Sequence, residues 1–134
     1  MYTFKKEERL CNKKLIDTLF HNGSSFLCYP FKVSWLEADL PGTFPVQIVF
    51  AVPKRRFKRA VDRNLIKRHM REAYRLNKQQ YLYGPLNIHG KKIIISLGYI
   101  GKELLVHALA EKKMIRLLKQ LADEIAKWKP SLTY

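Results

Sequence analysis

A strongly basic segment with helical periodicity, residues 54–75, constrains the fold of this chain more than any other feature. It carries ten Lys and Arg residues against two acids, and so holds +8 of the net charge of +15. A helix turns about 100° per residue, which places Ile66, Met70 and Ala73 on one side and the cations on the other. The side rich in cations consists of Arg63, Asn64, Lys67, Arg68, Arg71 and Arg75.

The chemistry of this cationic side favours a phosphate-bearing partner. Most of its cations are Arg, whose planar guanidinium forms bidentate contacts with phosphate and stacks on bases. A helix face that is merely solvated normally carries acids interspersed among its cations. Only Asp62 and Glu72 interrupt the cations here. The segment therefore predicts a nucleic-acid contact rather than a basic helix face that is only solvated.

Composition narrows the class of protein further. A chain of 134 residues with 47% hydrophobic content predicts a single domain, residues 1–134, with a hydrophobic core. A pI near 10.0 implies a polyanionic partner, namely RNA, DNA or an anionic membrane. The membrane is the weakest candidate, because no apolar run approaches about 20 residues and the N-terminus lacks the apolar stretch of a signal peptide. We expect a cytoplasmic protein that does not associate with membranes.

The titratable residues show no arrangement typical of catalysis or of a metal site. The eleven acids are scattered over different predicted elements, and the four histidines lie on separate segments without an H-x-x-x-H pair. Cys11 and Cys28 lack the spacing of metal ligands, and we predict that both are reduced, buried, small apolar residues. The sequence therefore predicts a binder with no catalytic residue and no metal ligand of its own.

The order of predicted elements is helix, strand, strand, helix, strand, helix. The boundaries are a helix capped by Asn12 and ending at Gly23, strands at 26–36 and 46–53, the basic helix at 60–80, a loop at 83–90, a strand at 92–99 and a helix at 104–128 that Pro130 ends. This order predicts an α/β two-layer sandwich of a small central sheet with three helices. General rules make a strand–helix–strand crossover right-handed in about 98% of cases.

Several motifs, in this order, resemble the bacterial ribonuclease P protein subunit. After the strand FAVPKR, that family carries the pattern A-V-x-R-N-x-x-K-R-x-x-R. Ala60, Val61, Arg63, Asn64, Lys67, Arg68 and Arg71 match it. The first helix of the family ends in V/L-F-x-x-G, which Leu19, Phe20 and Gly23 match. With FKVSW, KIIIS and the amphipathic last helix, the resemblance covers nearly the whole chain.

The resemblance implies a fold, a function and two sites. The family has a left-handed strand–helix–strand crossover, which overrides the general rule. Its members are accessory subunits of an endoribonuclease that removes the 5′ leader of precursor tRNA, while the RNA subunit hydrolyses the phosphodiester with Mg²⁺. The partners implied are the catalytic RNA and precursor tRNA, with no obligate protein partner. The Mg²⁺ ions would be bound mainly by the RNA subunit and the substrate.

The site residues carried over fall into two groups. The predicted contacts with the catalytic RNA are Lys54, Arg55, Arg63, Asn64, Lys67, Arg68, Arg71 and Arg75. The predicted cleft for the single-stranded leader is lined by Ile16, Phe20, Lys32 and Ser34. The chain departs from the family pattern at Leu65, where an Arg is common, and at Ile16 and Ser34, where aromatics are usual. We therefore expect weaker stacking on the leader.

Three alternatives stay open from the sequence. A ribosomal or ribosome-associated RNA-binding protein with a related sandwich shares the charge and the lack of catalytic groups, but has no use for a leader cleft. A metal-dependent nuclease acting alone requires clustered carboxylates. Within the resemblance itself, Ile16 and Phe20 are as compatible with simple core packing as with a cleft.

Overall fold

The computed structural model describes residues 4–127. The helices and strands are α1 (Lys13–Asn22), β1 (Ser24–Cys28), β2 (Phe31–Glu37), β3 (Val46–Ala51), α2 (Ala60–Lys78), α3 (Gly84–His89), β4 (Ile93–Tyr99) and α4 (His107–Lys127). A 3-10 turn, Lys6–Glu8, precedes α1, and a π-helical turn, Gln79–Tyr83, joins α2 to α3. The predicted α/β class is confirmed.

The four strands form one mixed sheet in the order β1-β2-β4-β3. β1 pairs antiparallel with β2, and β2 antiparallel with β4, whereas β3 and β4 are parallel. Parallel strands need a crossover connection, and α2 with α3 supplies it. The predicted strand–helix–strand unit is therefore present, and its left-handed sense stays a prediction.

Alternating side chains divide the core into two clusters, one on each face of the sheet. Ile93 and Ile95 of β4 join the larger cluster, which includes the buried sides of α2 and α4. Ile94 points to the opposite face and packs with Leu10, Leu19 and Leu40 under α1. The two long helices thus cover one face of the sheet, while the shorter α1 contributes to the cluster on the other.

α1 begins and ends where the sequence predicts. The Asn12 side chain accepts hydrogen bonds from the backbone N–H groups of Lys14 and Leu15, at 2.9 and 3.3 Å, which satisfies two free donors of the first turn. At the other end, Gly23 lies against neighbouring backbone. A Cβ at Gly23 would lie 2.5 Å from the Leu19 carbonyl oxygen and 2.9 Å from that of Trp35 in β2. Only glycine allows α1 and β2 to approach this closely.

The strand predicted over residues 26–36 is wrong as a single element, because the chain reverses at Tyr29 and Pro30. Cys28 of β1 pairs with Phe31 of β2 across this turn. The apolar pattern carries the signal for the hairpin: Cys28 is buried at an even position, whereas Phe31 and Val33 are buried at odd ones. A continuous strand keeps one parity, so the change of phase marks the turn.

The loop predicted over residues 83–90 is also wrong. Pro85 lies in the first turn of α3, where a missing N–H costs no hydrogen bond. Gly90, with φ of 65°, ends that helix in the left-handed conformation. The predicted end of the last helix, at Trp128 and Pro130, lies outside the described residues.

The prediction for the cysteines holds at one position only. Cys28 is buried against the larger cluster, whereas Cys11 is exposed. Cys11 directly precedes the cap of α1, in a segment with one side open to solvent.

Candidate nucleic-acid interface

The cationic face of α2, defined as Arg63, Asn64, Lys67, Arg68, Arg71 and Arg75, points away from the core. Ile66, Met70 and Ala73 on the opposite side of the helix have no exposed surface. Asn64, Arg68 and Arg71 are exposed, while the other three members are half-buried. The helical spacing therefore places the predicted RNA contacts on one solvent-facing surface.

Two members of the cationic face already have structural roles. The Arg63 guanidinium donates to the carbonyl oxygens of Phe57 and Lys58, at 2.7 and 2.9 Å, and so fixes the loop before α2. Arg75 donates two hydrogen bonds of 2.9 Å to the Glu72 carboxylate. These bonds hold the pKa of Glu72 below its ordinary value, against the opposing effect of burial.

The other three cations are available to a ligand. Within residues 4–127, Lys67, Arg68 and Arg71 form no hydrogen bond or ion pair. Charged groups without partners are the ones best able to exchange water for phosphate oxygens. They form the part of the cationic face most suited to binding a polyanion.

The loop between β3 and α2 links this face to the other predicted site. Lys54 and Arg55 are exposed in that loop. The neighbouring Arg56 donates a hydrogen bond to the carbonyl oxygen of Ile100, just past the end of β4. Arg56 was not predicted as a site residue, and its role here is to hold the loop with Lys54 and Arg55 beside the sheet.

A cleft of about 430 Å³ lies between α1 and the sheet. Phe20 and Gly23 form the wall from α1, Lys32 and Ser34 lie on its floor, and the far wall includes Pro53 and Ile100. Phe20 is 63% exposed, so the alternative of core packing does not describe this ring. Three of the four predicted cleft residues thus line one cavity.

Ile16, the fourth predicted cleft residue, does not line this cavity. It lies one turn earlier in α1 and packs, half-buried, on the cluster of Leu10, Leu40 and Ile94. At that end of α1 the helix lies over apolar side chains of the sheet, so the space that forms the cleft is already filled. For Ile16, the core-packing alternative describes the structure.

Three serine hydroxyls form a row on the floor of the cleft, and only that of Ser34 was predicted from the sequence. Ser25 of β1 pairs in register with Ser34 of β2, and Ser34 pairs with Ser96 of β4. All three line the cleft. The next row along the sheet is Lys32 beside Gly98 of β4. The signal for Ser25 and Ser96 is strand pairing, which the sequence alone does not supply.

The cleft has the chemistry of a site for single-stranded nucleic acid. Among the described residues that line it, Lys32 is the only charged one and no carboxylate is present. An aromatic ring, a single ammonium group and small polar side chains suit a base, a phosphate and a sugar respectively. Stacking on an aromatic ring depends little on base identity, because every base has a face to stack.

The fold also brings together two histidines that the sequence places on separate segments. The rings of His69 in α2 and His107 in α4 have their centroids 5.9 Å apart. Burial lowers the pKa of His69, and the charges of His107 and Arg68 lower it further. Within residues 4–127, no group of three His, Cys, Asp or Glu residues could hold a metal ion.

No helix within residues 4–127 combines the length and apolar character needed to cross a membrane.

The chain is similar to known ribonuclease P proteins. A family model described as Ribonuclease P matches residues 4–122. A ribonuclease P protein component from Porphyromonas gingivalis is 42% identical over 125 residues, which cover 92% of this chain and 90% of the relative. One from Chlorobium phaeobacteroides is 38% identical over 74% of this chain and 73% of its own length.

Two solved structures are similar in fold. The ribonuclease P protein from Thermotoga maritima gives a TM-score of 0.66 at 24% identity, covering 84% of this chain and 96% of its own. The Staphylococcus aureus protein gives 0.60 at 20% identity, covering 90% and 95%.

Proposed function

The chain belongs to the ribonuclease P protein family, and on that basis we propose how its two surfaces divide the work of the subunit. The cationic face of α2, with Lys54 and Arg55, binds the catalytic RNA. The cleft holds the single-stranded 5′ leader of precursor tRNA. The ribosomal alternative is not favoured, because the matching family model and the relatives are those of ribonuclease P.

One observation carries this proposal: an open cleft with an exposed aromatic lies next to a loop that leads to the cationic face. Phe20 is 63% exposed on α1, and Pro53 and Ile100 at the far wall adjoin the loop that Arg56 holds. A strand lying in the cleft therefore passes close to an RNA bound on α2. This proximity is what a subunit joining a substrate to a catalytic RNA requires.

In this proposal the protein contributes positive charge, and none of its side chains takes part in breaking the phosphodiester bond. Two polyanions repel each other, and cations at their junction lower the free energy of bringing them together. The cleft lining offers hydroxyls and one ammonium group but no carboxylate, a donor set that does not fit a Mg²⁺ site of the protein's own. We propose that the Mg²⁺ ions are bound by the RNA subunit and the substrate. We propose that the protein acts in the cytoplasm.

The test is cleavage of precursor tRNA by ribonuclease P RNA, with and without the purified protein, across a range of Mg²⁺ concentrations. The RNA alone should cleave at high Mg²⁺, where metal ions screen the repulsion. The protein should move activity to lower Mg²⁺ without moving the cleavage site, and the protein alone should not cleave. A specific cut by the RNA-free protein, lost on replacing one carboxylate, would contradict the proposal.

A further inference from the structure

A second pocket, the edge pocket, lies away from the leader cleft, between the N-terminal segment, β3 and α2. Its volume is about 420 Å³. The residues that give it its chemistry are Phe4, Arg9, Cys11, Phe50, Lys67 and Arg71. The resemblance to the ribonuclease P protein family assigns Lys67 and Arg71 to RNA contact but gives no role to the N-terminal residues.

The N-terminal segment is held in place along the edge of the sheet. The backbone N–H of Leu10 donates to the carbonyl oxygen of Ile48 at 2.9 Å, and Arg9 pairs with Ile48 as a parallel bridge. Leu10 is 3% exposed. Because the backbone is fixed at this point, Arg9 lies opposite α2 and faces the same pocket as its cations.

Three cations from two separate parts of the chain converge on the edge pocket. Arg9 is exposed, and Lys67 and Arg71 form no hydrogen bond or ion pair within residues 4–127. No acid is among the described residues that line the pocket. Like charges brought together without a counter-charge favour binding of an anion.

The remaining wall of the pocket is apolar and partly aromatic. Phe4 and Phe50 are half-buried and meet edge to face, with ring centroids 5.9 Å apart. The Arg9 guanidinium lies 5.7 Å from the Phe4 ring centroid. A phosphate alone would need only the cations. A recess that also has an aromatic wall offers a base a surface to stack on.

We propose that the edge pocket binds one unstacked nucleotide of the catalytic RNA. Its phosphate contacts Arg9, Lys67 and Arg71, while its base lies against the wall formed by Phe4 and Phe50. The volume lies within the range of about 300–1,000 Å³ usual for small-ligand sites. The inference rests on the proposed function, because it assumes that the cationic face of α2 contacts that RNA.

The two cysteines provide a direct test. Cys11 is exposed at the edge pocket and Cys28 is buried, so alkylation by a maleimide should report on Cys11 while Cys28 serves as an internal control. Bound ribonuclease P RNA should slow alkylation of Cys11 by about tenfold or more. If the RNA binds and Cys11 reacts at its free rate, the edge pocket is wrong and the proposed function stands. If the RNA does not bind, both are wrong.

A matched pair of variants separates insertion of a nucleotide from shielding by RNA that merely passes over the surface. Cys11→Trp fills the pocket without removing a cation, and Cys11→Ser leaves it open. The Trp variant should bind the catalytic RNA about tenfold more weakly than the Ser variant, because the stacked base is lost. Equal affinities of the two folded variants would overturn the proposal.

The contribution of Arg9 is tested against a cation of the same segment outside the pocket. Arg9→Gln removes one of the three converging charges, and Lys6→Gln removes an exposed charge from the preceding 3-10 turn. Only the Arg9 variant should lose affinity for the catalytic RNA and restore fast alkylation of Cys11 in its presence. An equal effect of both variants would show that the N-terminal segment acts through net charge alone, and would overturn the proposed pocket.

Discussion

The middle and the last turn of α2 use the same kind of side chain in opposite ways. Along the cationic face, Lys67, Arg68 and Arg71 have no partner within residues 4–127. In the last turn, Lys78 is 3% exposed and pairs with the fully buried Glu8 of the N-terminal segment. Cations left unpaired at the surface can bind RNA, whereas a cation buried with its carboxylate holds two distant parts of the chain together.

The buried end is a small network rather than a single pair. Glu8 also accepts a hydrogen bond from the Tyr83 hydroxyl, and that hydroxyl lies 3.4 Å from the one of Tyr74. Burial lowers the pKa of Lys78, which the interaction with Glu8 partly offsets. Burial also raises the pKa of Tyr83 far above its ordinary value. The comparison teaches that exposure decides whether a cation of α2 serves binding or stability. Five predictions follow from it.

The largest expected effect is on stability, at the buried end. Glu8→Leu should lower the free energy of unfolding by about 3–5 kcal/mol, because Lys78 is then buried without its carboxylate. The double variant Glu8→Leu with Lys78→Met should recover most of this loss, since no charge is left buried. Urea denaturation measures both. If the Glu8→Leu variant is as stable as the parent protein, the buried pair does not stabilise the fold and the comparison is wrong.

The next effect extends the comparison to α1, where Leu19 is buried and Phe20 is exposed. Phe20→Ala should weaken binding of precursor tRNA by about 1–3 kcal/mol through lost stacking, and leave mature tRNA binding and stability nearly unchanged. Leu19→Ala should instead lower the free energy of unfolding by about 2–5 kcal/mol. If Phe20→Ala weakens both RNAs equally, the ring does not contact the leader.

A smaller effect is expected at each single position of the cationic face. Arg68→Glu should weaken binding of the catalytic RNA and reduce the slope of log affinity against log salt by about 0.7–0.9, with stability changed by less than about 0.5 kcal/mol. Arg116→Glu on the exposed side of α4 is the matched control, with the same charge change. Fluorescence titration at several salt concentrations measures both. Equal losses in the two variants would mean that only net charge matters.

Arg63 differs from Lys67, Arg68 and Arg71 because it forms hydrogen bonds within the protein. The helical spacing places Arg63 among the cations of this face, but its guanidinium also donates hydrogen bonds to the carbonyl oxygens of Phe57 and Lys58. Arg63→Glu should therefore also destabilise the loop before α2, by about 1 kcal/mol, because these hydrogen bonds are lost at a partly exposed position. Urea denaturation measures this loss.

The smallest effect concerns pH. Burial and nearby positive charge lower the pKa of His69 in the folded protein. Below about pH 6.5, the imidazole of His69 is therefore protonated more readily in the unfolded chain than in the folded one. The free energy of unfolding should fall as the pH decreases through that range, by a fraction of a kcal/mol. His69→Gln should reduce this dependence, whereas His89→Gln, at an exposed position of α3, controls for loss of an imidazole. His107 and Arg68 act on the pKa of His69, so both residues must be kept in these variants. Denaturation at pH 7.5 and 5.5 provides the measurement.

The sequence predicts a feature well when the residues that form it lie close together along the chain. The cationic face is local, since a helix repeats within a few residues, and Ile66 and Met70 fall where the spacing places them. Composition does not reveal the hairpin at Pro30, because the residues on both sides of the turn are typical of strands. Only the change in parity of the buried positions marks the turn. Neither case required knowledge of distant residues.

The features that were missed at the candidate sites depend on distant pairings. Ser25 and Ser96 meet through strand register, Arg9 faces Lys67 through the path of the N-terminal segment, and His69 meets His107 through helix packing. Glu8 and Lys78 are 70 positions apart. No short-range pattern indicates these contacts, because they depend on the tertiary arrangement of whole elements.

The close approach at Gly23 limits the width of the cleft between α1 and the sheet, whereas the side chains that line the cleft set its chemistry. The spacing between α1 and the sheet is limited there by backbone against backbone, where a single added methyl group would collide with two carbonyl oxygens. The side chains inside the cleft do not set that spacing. A change of side chain inside the cleft, such as one at Ser34, therefore need not change the width of the cleft. We therefore expect the side chains of the cleft to determine what it binds, while the backbone contact at Gly23 determines how wide it is.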